Sequence, residues 1–77
     1  MNEKYIKDKL ESLIPQTTAK VTGDGTHFEA VIVSVVFAGK STLERHKIVY
    51  SALQDDMTEN IHALSMKTFS PEEFNKR

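Results

Sequence analysis

A nearly unbroken apolar run is the feature that most restricts how this chain can fold. From residue 30 to residue 37 the sequence reads AVIVSVVF, and Ser34 is its one polar residue. A strand at the surface would alternate apolar and polar side chains, so this run predicts a strand that is central or covered on both faces. The chain then passes through a Gly39-Lys40-Ser41 turn into a helix. This unit is the framework onto which the other elements can pack.

The residues before the run predict a helix and a first strand. Asn2 can cap a helix that ends before Pro15, because proline disfavours a helical conformation in the residue before it. The apolar positions of this helix are Ile6, Leu10, Leu13 and Ile14. A strand is predicted over 19–22. Gly23-Asp24-Gly25 then makes a hairpin turn, since both glycines accept positive φ.

The residues after the run predict four further elements. Ser41 and Glu44 form a capping box that starts a helix. Its predicted apolar side carries Leu43, His46, Val49, Tyr50 and Leu53. A short helical turn around Met57 precedes a third strand over 63–69. A last helix starts at Pro71, since proline is favoured at the first helical position.

The order α-β-β-α-α-β-α predicts an α+β fold with a three-stranded mixed sheet and helices packed on one face. Strands two and three are joined by a helical crossover, so as neighbours they run parallel with a right-handed connection. Residues 1–77 are predicted to form a single domain, because 77 residues leave no room for a second. No apolar run approaches the roughly 20 residues that span a bilayer. We therefore expect a cytoplasmic protein with no membrane association.

The residue types present argue against an enzyme. The chain has no cysteine, which excludes a thiolate nucleophile and a self-sufficient thiolate metal site. No serine has an evident base. Gly39-Lys40-Ser41 resembles the end of a phosphate-binding loop, but that motif needs a glycine where this chain has Ser34.

Basic residues give a weak indication of nucleic-acid binding. The net charge of −1 is far from the basic balance typical of such proteins. Lys40, Arg45 and Lys47 nevertheless cluster near the start of the second helix, and Lys67 lies on the third strand. This set could meet phosphate or an acidic partner, whereas the more ordinary interpretation is a solvated surface.

Two of the three histidines fall at strand starts. His27 begins strand two and His62 precedes strand three, so parallel pairing would bring both to one end of the sheet, with the strands ~4.8 Å apart. They are either ordinary polar residues or converging metal ligands, and two histidines alone make an incomplete zinc site. His46, on the apolar side of its helix, is predicted to be a packed side chain.

Several linked segments resemble the BolA family. They are GDGTHF at 23–28, Phe37-x-Gly39, Arg45-His46-x-x-Val49-Tyr50, and IHALSMKTFSPEEF at 61–74, where Phe74 replaces the usual tryptophan. The resemblance implies a class II KH-like fold that lacks the Gly-x-x-Gly clamp of RNA binders. It also implies structural roles for Gly39, His46 and Tyr50.

The resemblance further implies a function. BolA-like proteins pair with a monothiol glutaredoxin as a heterodimer that holds a two-iron two-sulfur cluster, in cluster trafficking or in iron, redox or stress sensing. His62 and His27 are then the ligands from this chain, while the glutaredoxin cysteine and a glutathione thiol supply sulfur. The isolated chain is expected to be a monomer without cofactor. The alternative is a DNA-binding transcriptional regulator of stress response or morphology that uses Lys40, Arg45, Lys47 and Lys67.

Overall fold

The computed structural model describes residues 2–25, 27–59 and 63–76, with the backbone alone at 58 and 59. The elements in chain order are α1 (Glu3–Leu13), β1 (Thr17–Gly23), β2 (His27–Ser34), α2 (Thr42–Ala52), α3 (Gln54–Glu59), β3 (Ala63–Phe69) and α4 (Pro71–Lys76). A 3-10 turn over Val35–Phe37 follows β2. The predicted element order is confirmed.

The three strands form one sheet in the order β1-β2-β3. β1 runs antiparallel to β2, as a hairpin requires, and β3 runs parallel to β2. The predicted mixed sheet with β2 at its centre is therefore confirmed. The apolar residues of β2 are explained by this central position, since Val31 and Val33 on its second face are half-buried rather than covered.

The core lies between one face of the sheet and the helices α1 and α2. Alternate sheet residues point into it, because successive side chains of a strand face opposite sides. The buried apolar residues are Ile6, Leu10, Ile14, Ala19, Phe28, Ala30, Ile32, Phe37, Val49 and Leu53. α4 lies beyond the end of β3, and its Phe74 ring borders the opposite face, beside Val33.

β2 ends three residues earlier than the apolar run predicts. The Ser34 hydroxyl donates a hydrogen bond to the Pro15 carbonyl at 2.9 Å and accepts one from the Val36 amide at 3.2 Å. These bonds turn the chain into the 3-10 segment, which buries Phe37 completely. The last residues of the run are apolar because the 3-10 segment, rather than a longer strand, carries Phe37 into the core.

The predicted apolar sides of the two long helices are partly wrong. Leu13, Leu43 and Tyr50 are exposed, at 57%, 65% and 40%. Val49 and Leu53 are buried as predicted, but Arg45 also turns inward and His46 is only half-buried. An 11-residue helix offers few apolar positions, so its sequence leaves the direction of packing open. The predicted structural role of His46 stays a prediction.

Arg45 is a buried structural anchor, so its prediction as a solvated or phosphate-binding residue is wrong. The residue is 8% exposed. Its Nη1 and Nη2 donate to the two carboxylate oxygens of Glu73 at 2.7 and 3.1 Å. Nε donates to the Lys40 carbonyl at 3.0 Å, and Nη1 also donates to the Thr68 carbonyl at 3.2 Å. One guanidinium therefore ties α2, the preceding turn, the end of β3 and α4 together.

Glu73 also caps its own helix. Its Oε1 accepts from the Ser70 amide at 2.8 Å, while the Ser70 hydroxyl accepts from the Glu73 amide at 3.2 Å. The Arg45 guanidinium, followed by the Ser70 amide, lowers the pKa of the Glu73 carboxyl to about 2. Both partners stabilise the ionised carboxylate, so protonation in acid removes that stabilisation.

Replacing Glu73 tests this anchor. Glu73→Gln is expected to lower the free energy of unfolding at pH 7, because the buried guanidinium loses its counter-charge. A carboxyl whose pKa is depressed by folding stabilises above its ordinary pKa near 4.5, and that contribution is lost as the pH falls toward 2. The difference between wild type and variant should therefore shrink across this window, as measured by urea unfolding at successive pH values.

Glu72→Gln is the matched control for this measurement. Glu72 makes an exposed contact with Lys76 in the same short helix, at 2.8 Å. An exposed pair of this kind contributes little to stability. Equal losses for Glu72→Gln and Glu73→Gln at pH 7 would contradict the assignment of Arg45 and Glu73 as the anchor.

Candidate metal centre

His27 stands at the first position of β2, directly after the hairpin turn. Asp24 closes the turn: its Oδ1 accepts from the His27 amide at 2.9 Å, and its own amide donates to the His27 carbonyl at 3.2 Å. The His27 side chain is 69% exposed, with Nδ1 3.7 Å from Asp24 Oδ2. The backbone of His27 is thus fixed while its imidazole faces outward with a carboxylate beside it.

The two glycines of the turn have different roles. Gly25 has φ +103°, as a left-handed turn residue requires. Gly23 belongs to β1, so the prediction that it also supplies positive φ is wrong. A Cβ at Gly23 would lie 2.5 Å from Cδ1 of the Phe28 ring and 2.6 Å from the His27 carbonyl oxygen. Glycine is therefore needed at position 23 because the His27–Phe28 segment of β2 lies too close to it for a side chain.

The start of β3 lies beside His27. In the parallel register His27 pairs with Ala63, the first residue of β3. The sequence-based inference that both strands begin at the same end of the sheet is confirmed. His62, the second predicted ligand, immediately precedes Ala63 in the sequence and lies outside the described residues. Its convergence with His27 stays a prediction.

A buried carboxylate links α1 to α3, the helix that precedes this segment. Asp56 is 5% exposed, although carboxylates in a polar segment of this kind are ordinarily solvated. Lys9 Nζ donates to Asp56 Oδ2 at 2.6 Å, and the Tyr5 hydroxyl lies 3.3 Å from both carboxylate oxygens. Asp56 raises the pKa of Lys9, chiefly through their hydrogen bond. No local pattern could reveal this contact, because its partners are 47 and 51 residues away in the sequence.

The donor groups of the described residues do not complete a metal site by themselves. In the ranges 2–25, 27–59 and 63–76 no group of three or more histidine, cysteine, aspartate or glutamate residues could hold an ion. His27 is a single exposed imidazole with one neighbouring carboxylate. Such a donor set fits a metal group whose other ligands come from residues or molecules beyond this part of the chain.

The predicted basic residues are dispersed. Lys40 and Lys47 are exposed around the start of α2, while Arg45 between them is buried. Lys67 pairs in register with Val31 and is exposed on the sheet face away from the core. The four residues therefore do not form one surface.

The connection between α2 and α3 leaves no room for an RNA-binding clamp. α2 ends at Ala52 and α3 begins at Gln54, so Leu53 alone joins them. Leu53 is completely buried. A Gly-x-x-Gly loop needs four residues that are free to approach a nucleic-acid backbone. The sequence lacks the Gly-x-x-Gly motif, and the structure lacks a loop between α2 and α3 that could carry it.

The family of BolA-like proteins matches residues 6–73 of this sequence. The chain is a member of the BolA-like family. A solved structure of a BolA protein homologue from Coxiella burnetii is similar to it with a TM-score of 0.90 and 39% identity, over 97% of each chain. The resemblance drawn from the sequence segments is thereby confirmed.

Two relatives of this BolA-like chain carry functional names. The acid stress protein IbaG of Escherichia coli K12 is 32% identical over 75 residues, covering 96% of this chain and 89% of that protein. The DNA-binding transcriptional regulator BolA of the same strain is 36% identical over 52 residues, covering 68% of this chain and 50% of that protein.

Within the described residues, no helix has the length and apolar character needed to cross a bilayer.

Gly23→Ala tests the close approach at the hairpin. The added methyl must displace the Phe28 ring or the His27 backbone, so we expect a loss of about 2 kcal/mol in the free energy of unfolding. In NMR spectra the amide signals of His27 and Phe28 should shift. Chemical denaturation and two-dimensional NMR provide the two measurements.

Gly39→Ala serves as the comparison. Gly39 has φ +74°, but no atom lies within 4 Å of a Cβ added there. Only the backbone cost of about 1 kcal/mol is expected, and the signals of His27 and Phe28 should stay in place. A Gly23→Ala protein as stable as wild type would refute the steric explanation.

Proposed function

We propose that this protein is a non-enzymatic adaptor that pairs with a monothiol glutaredoxin and shares a two-iron two-sulfur cluster with it. The observation that carries the proposal is the register of the parallel strands, in which His27 pairs with Ala63. This register puts His27, one candidate ligand, beside Ala63. Ala63 directly follows His62, the other candidate ligand, in the sequence. Membership in the BolA-like family supports the same function.

His62 and His27 are the residues of this chain that would hold the cluster. The glutaredoxin cysteine and a glutathione thiol would provide sulfur ligands, which this cysteine-free chain lacks. When bound, the cluster supplies one-electron redox chemistry, and imidazole ligands raise its potential relative to thiolates. Because the thiols are external, the isolated protein is proposed to hold no cluster, and we propose that it is a monomer.

Asp24 places a carboxylate beside the His27 imidazole. Its Oδ2 lies 3.7 Å from Nδ1. Negative charge at this distance favours the approach of a metal cation to the ring. The exposure of the imidazole allows a partner protein to approach. These features suit a site that is completed at an interface.

We assign the protein to cytoplasmic iron–sulfur trafficking or to iron, redox or stress sensing. The name of IbaG, an acid stress protein, supports a role in stress. A trafficking role requires a ligand set that releases its cargo. Two ligands from this chain, with the others contributed by a partner and a small thiol, meet that requirement.

Substitution of the histidines tests the proposal. The protein is mixed without oxygen with a cluster-loaded monothiol glutaredoxin and glutathione, and visible absorption and circular dichroism are recorded. His62→Ala is expected to abolish the spectrum of the complex. His27→Ala should change the spectrum and accelerate cluster loss, because one imidazole is removed.

His46→Ala is the control, since His46 lies half-buried on α2 and is not a proposed ligand. Its complex should keep the wild-type spectrum. Size-exclusion chromatography of each mixture separates loss of the ligand from loss of protein binding. An unchanged spectrum for the His62→Ala complex would overturn the ligand assignment.

DNA binding is the second candidate function, and it is favoured by one observation, the name of the related transcriptional regulator BolA. The exposed residues Lys40 and Lys47 remain available for phosphate, whereas Arg45 is engaged with Glu73. Two lysines at the start of α2 would form only a small contact with the DNA backbone.

A salt titration tests this second function. If duplex DNA is bound through several phosphates, the affinity should fall steeply with salt, and Lys40→Gln/Lys47→Gln should reduce the slope by about two. Fluorescence anisotropy with labelled duplexes provides the isotherms. Absence of binding at low salt would remove this candidate.

A further inference from the structure

We propose that the sheet face opposite the core is a docking surface for an acidic segment of a partner protein that also carries an apolar side chain. Along β2 this face presents Glu29, Val31 and Val33, whose partners on the flanking strands are exposed or half-buried. The helices α1 and α2 pack on the other side.

The centre of this face is a row of two lysines around a valine. Lys20 on β1 pairs with Val31, and Val31 pairs with Lys67 on β3. The Cα atoms of the two lysines are thus about 10 Å apart, two strand spacings. Both lysines are exposed, and Val31 between them is half-buried. Two cations on either side of an apolar floor complement a segment with carboxylates on both sides of an apolar residue.

Two depressions on this face meet at the same row. One has a volume of about 360 Å³ and is lined by Lys20, Glu29, Val31 and Lys67, among others. The other has a volume of about 350 Å³ and lies among Lys20, Val31, Val33 and Phe74. Each has room for an aliphatic side chain, and the second has an aromatic wall. The shape of the face therefore provides seats for a partner's apolar residues next to the lysines.

The charges on the face favour an acidic peptide over a nucleic acid. Glu29 lies one row from the lysines, paired with Thr22 and Ser65. Its carboxylate would repel the phosphates of a nucleic-acid backbone, which are spaced continuously along the strand. A peptide can place its carboxylates only beside the two lysines and so keep them away from Glu29. The rings of Phe74 and Phe69 pack edge to face, with their centroids 5.7 Å apart. This arrangement suits an apolar wall rather than a platform on which bases stack.

The centre of this docking surface lies some distance from the proposed metal ligand on the same sheet face. His27 and Val31 are four residues apart on one strand, about 13 Å. A segment that crosses the strands along the lysine row would leave His27 accessible to a second protein. The surface can therefore serve a partner that binds together with the glutaredoxin, and its existence does not depend on iron binding.

A synthetic peptide provides a direct test with the metal-free full-length chain. The probe is a blocked decapeptide with a central leucine and aspartate and glutamate residues on both sides, titrated into the ¹⁵N-labelled protein at low salt. We expect amide shifts centred on Lys20, Val31 and Lys67, and an affinity that falls with added salt. Lys20→Glu/Lys67→Glu should weaken binding at least tenfold, and Val31→Thr severalfold.

Lys4→Glu/Lys76→Glu is the matched control, because these exposed lysines make surface pairs with Asp8 and Glu72. This control variant makes the same change in net charge as Lys20→Glu/Lys67→Glu, and its affinity for the peptide should stay within about twofold of the wild-type affinity. The proposal is overturned if the shifts map to another surface or if Lys20→Glu/Lys67→Glu binds as well as the control. Tighter binding of a single-stranded decanucleotide to the same face would likewise overturn it. Circular dichroism of each variant verifies that the fold is kept.

Discussion

The parallel pairing of β2 with β3 is the constraint on which the rest of this structure depends. Parallel neighbours cannot be joined by a tight turn, so the chain must leave the sheet after β2 and return through α2 and α3. That crossover covers one face of the sheet together with α1, and the core lies between the sheet and these helices. The same register sets His27 beside Ala63 at one end and Val31 beside Lys67 at the centre. The antiparallel pairing with β1 places Lys20 on the other side of Val31. The candidate metal centre follows from the parallel pairing, and the proposed docking surface follows from both pairings of β2.

Two buried charged groups hold the crossover in place alongside its apolar contacts. Arg45 connects α2 to the end of β3 and to α4 through Glu73, and Asp56 connects α3 to α1 through Lys9 and Tyr5. Removing one partner of a buried ion pair costs more than the pair contributes, because a charge is left without compensation. These contacts therefore fix the arrangement of short helices that could otherwise pack in more than one way.

The protein presents different chemistry at different places on one small scaffold. The end of the sheet carries an exposed imidazole with a carboxylate beside it, and the open face carries lysines around an apolar floor. The proposed adaptor function requires contact with a partner and a cargo that is not enclosed, and exposed groups on a sheet suit both requirements. The two proposed contacts use different residues of this sheet.

The sequence by itself determined the element order, the capping box of Ser41 and Glu44, the hairpin and the central strand, because these depend on local propensities and on the periods of helix and strand. The strand order made His27 and His62 either ordinary polar residues or metal ligands, and the family resemblance favoured the second interpretation. Tertiary structure decided that Arg45 and Asp56 are buried and that Leu13, Leu43 and Tyr50 are exposed. Their partners are distant in the chain, and a short amphipathic helix does not specify which side packs. The need for glycine at position 23 likewise arises from a neighbouring ring that only the folded hairpin brings close.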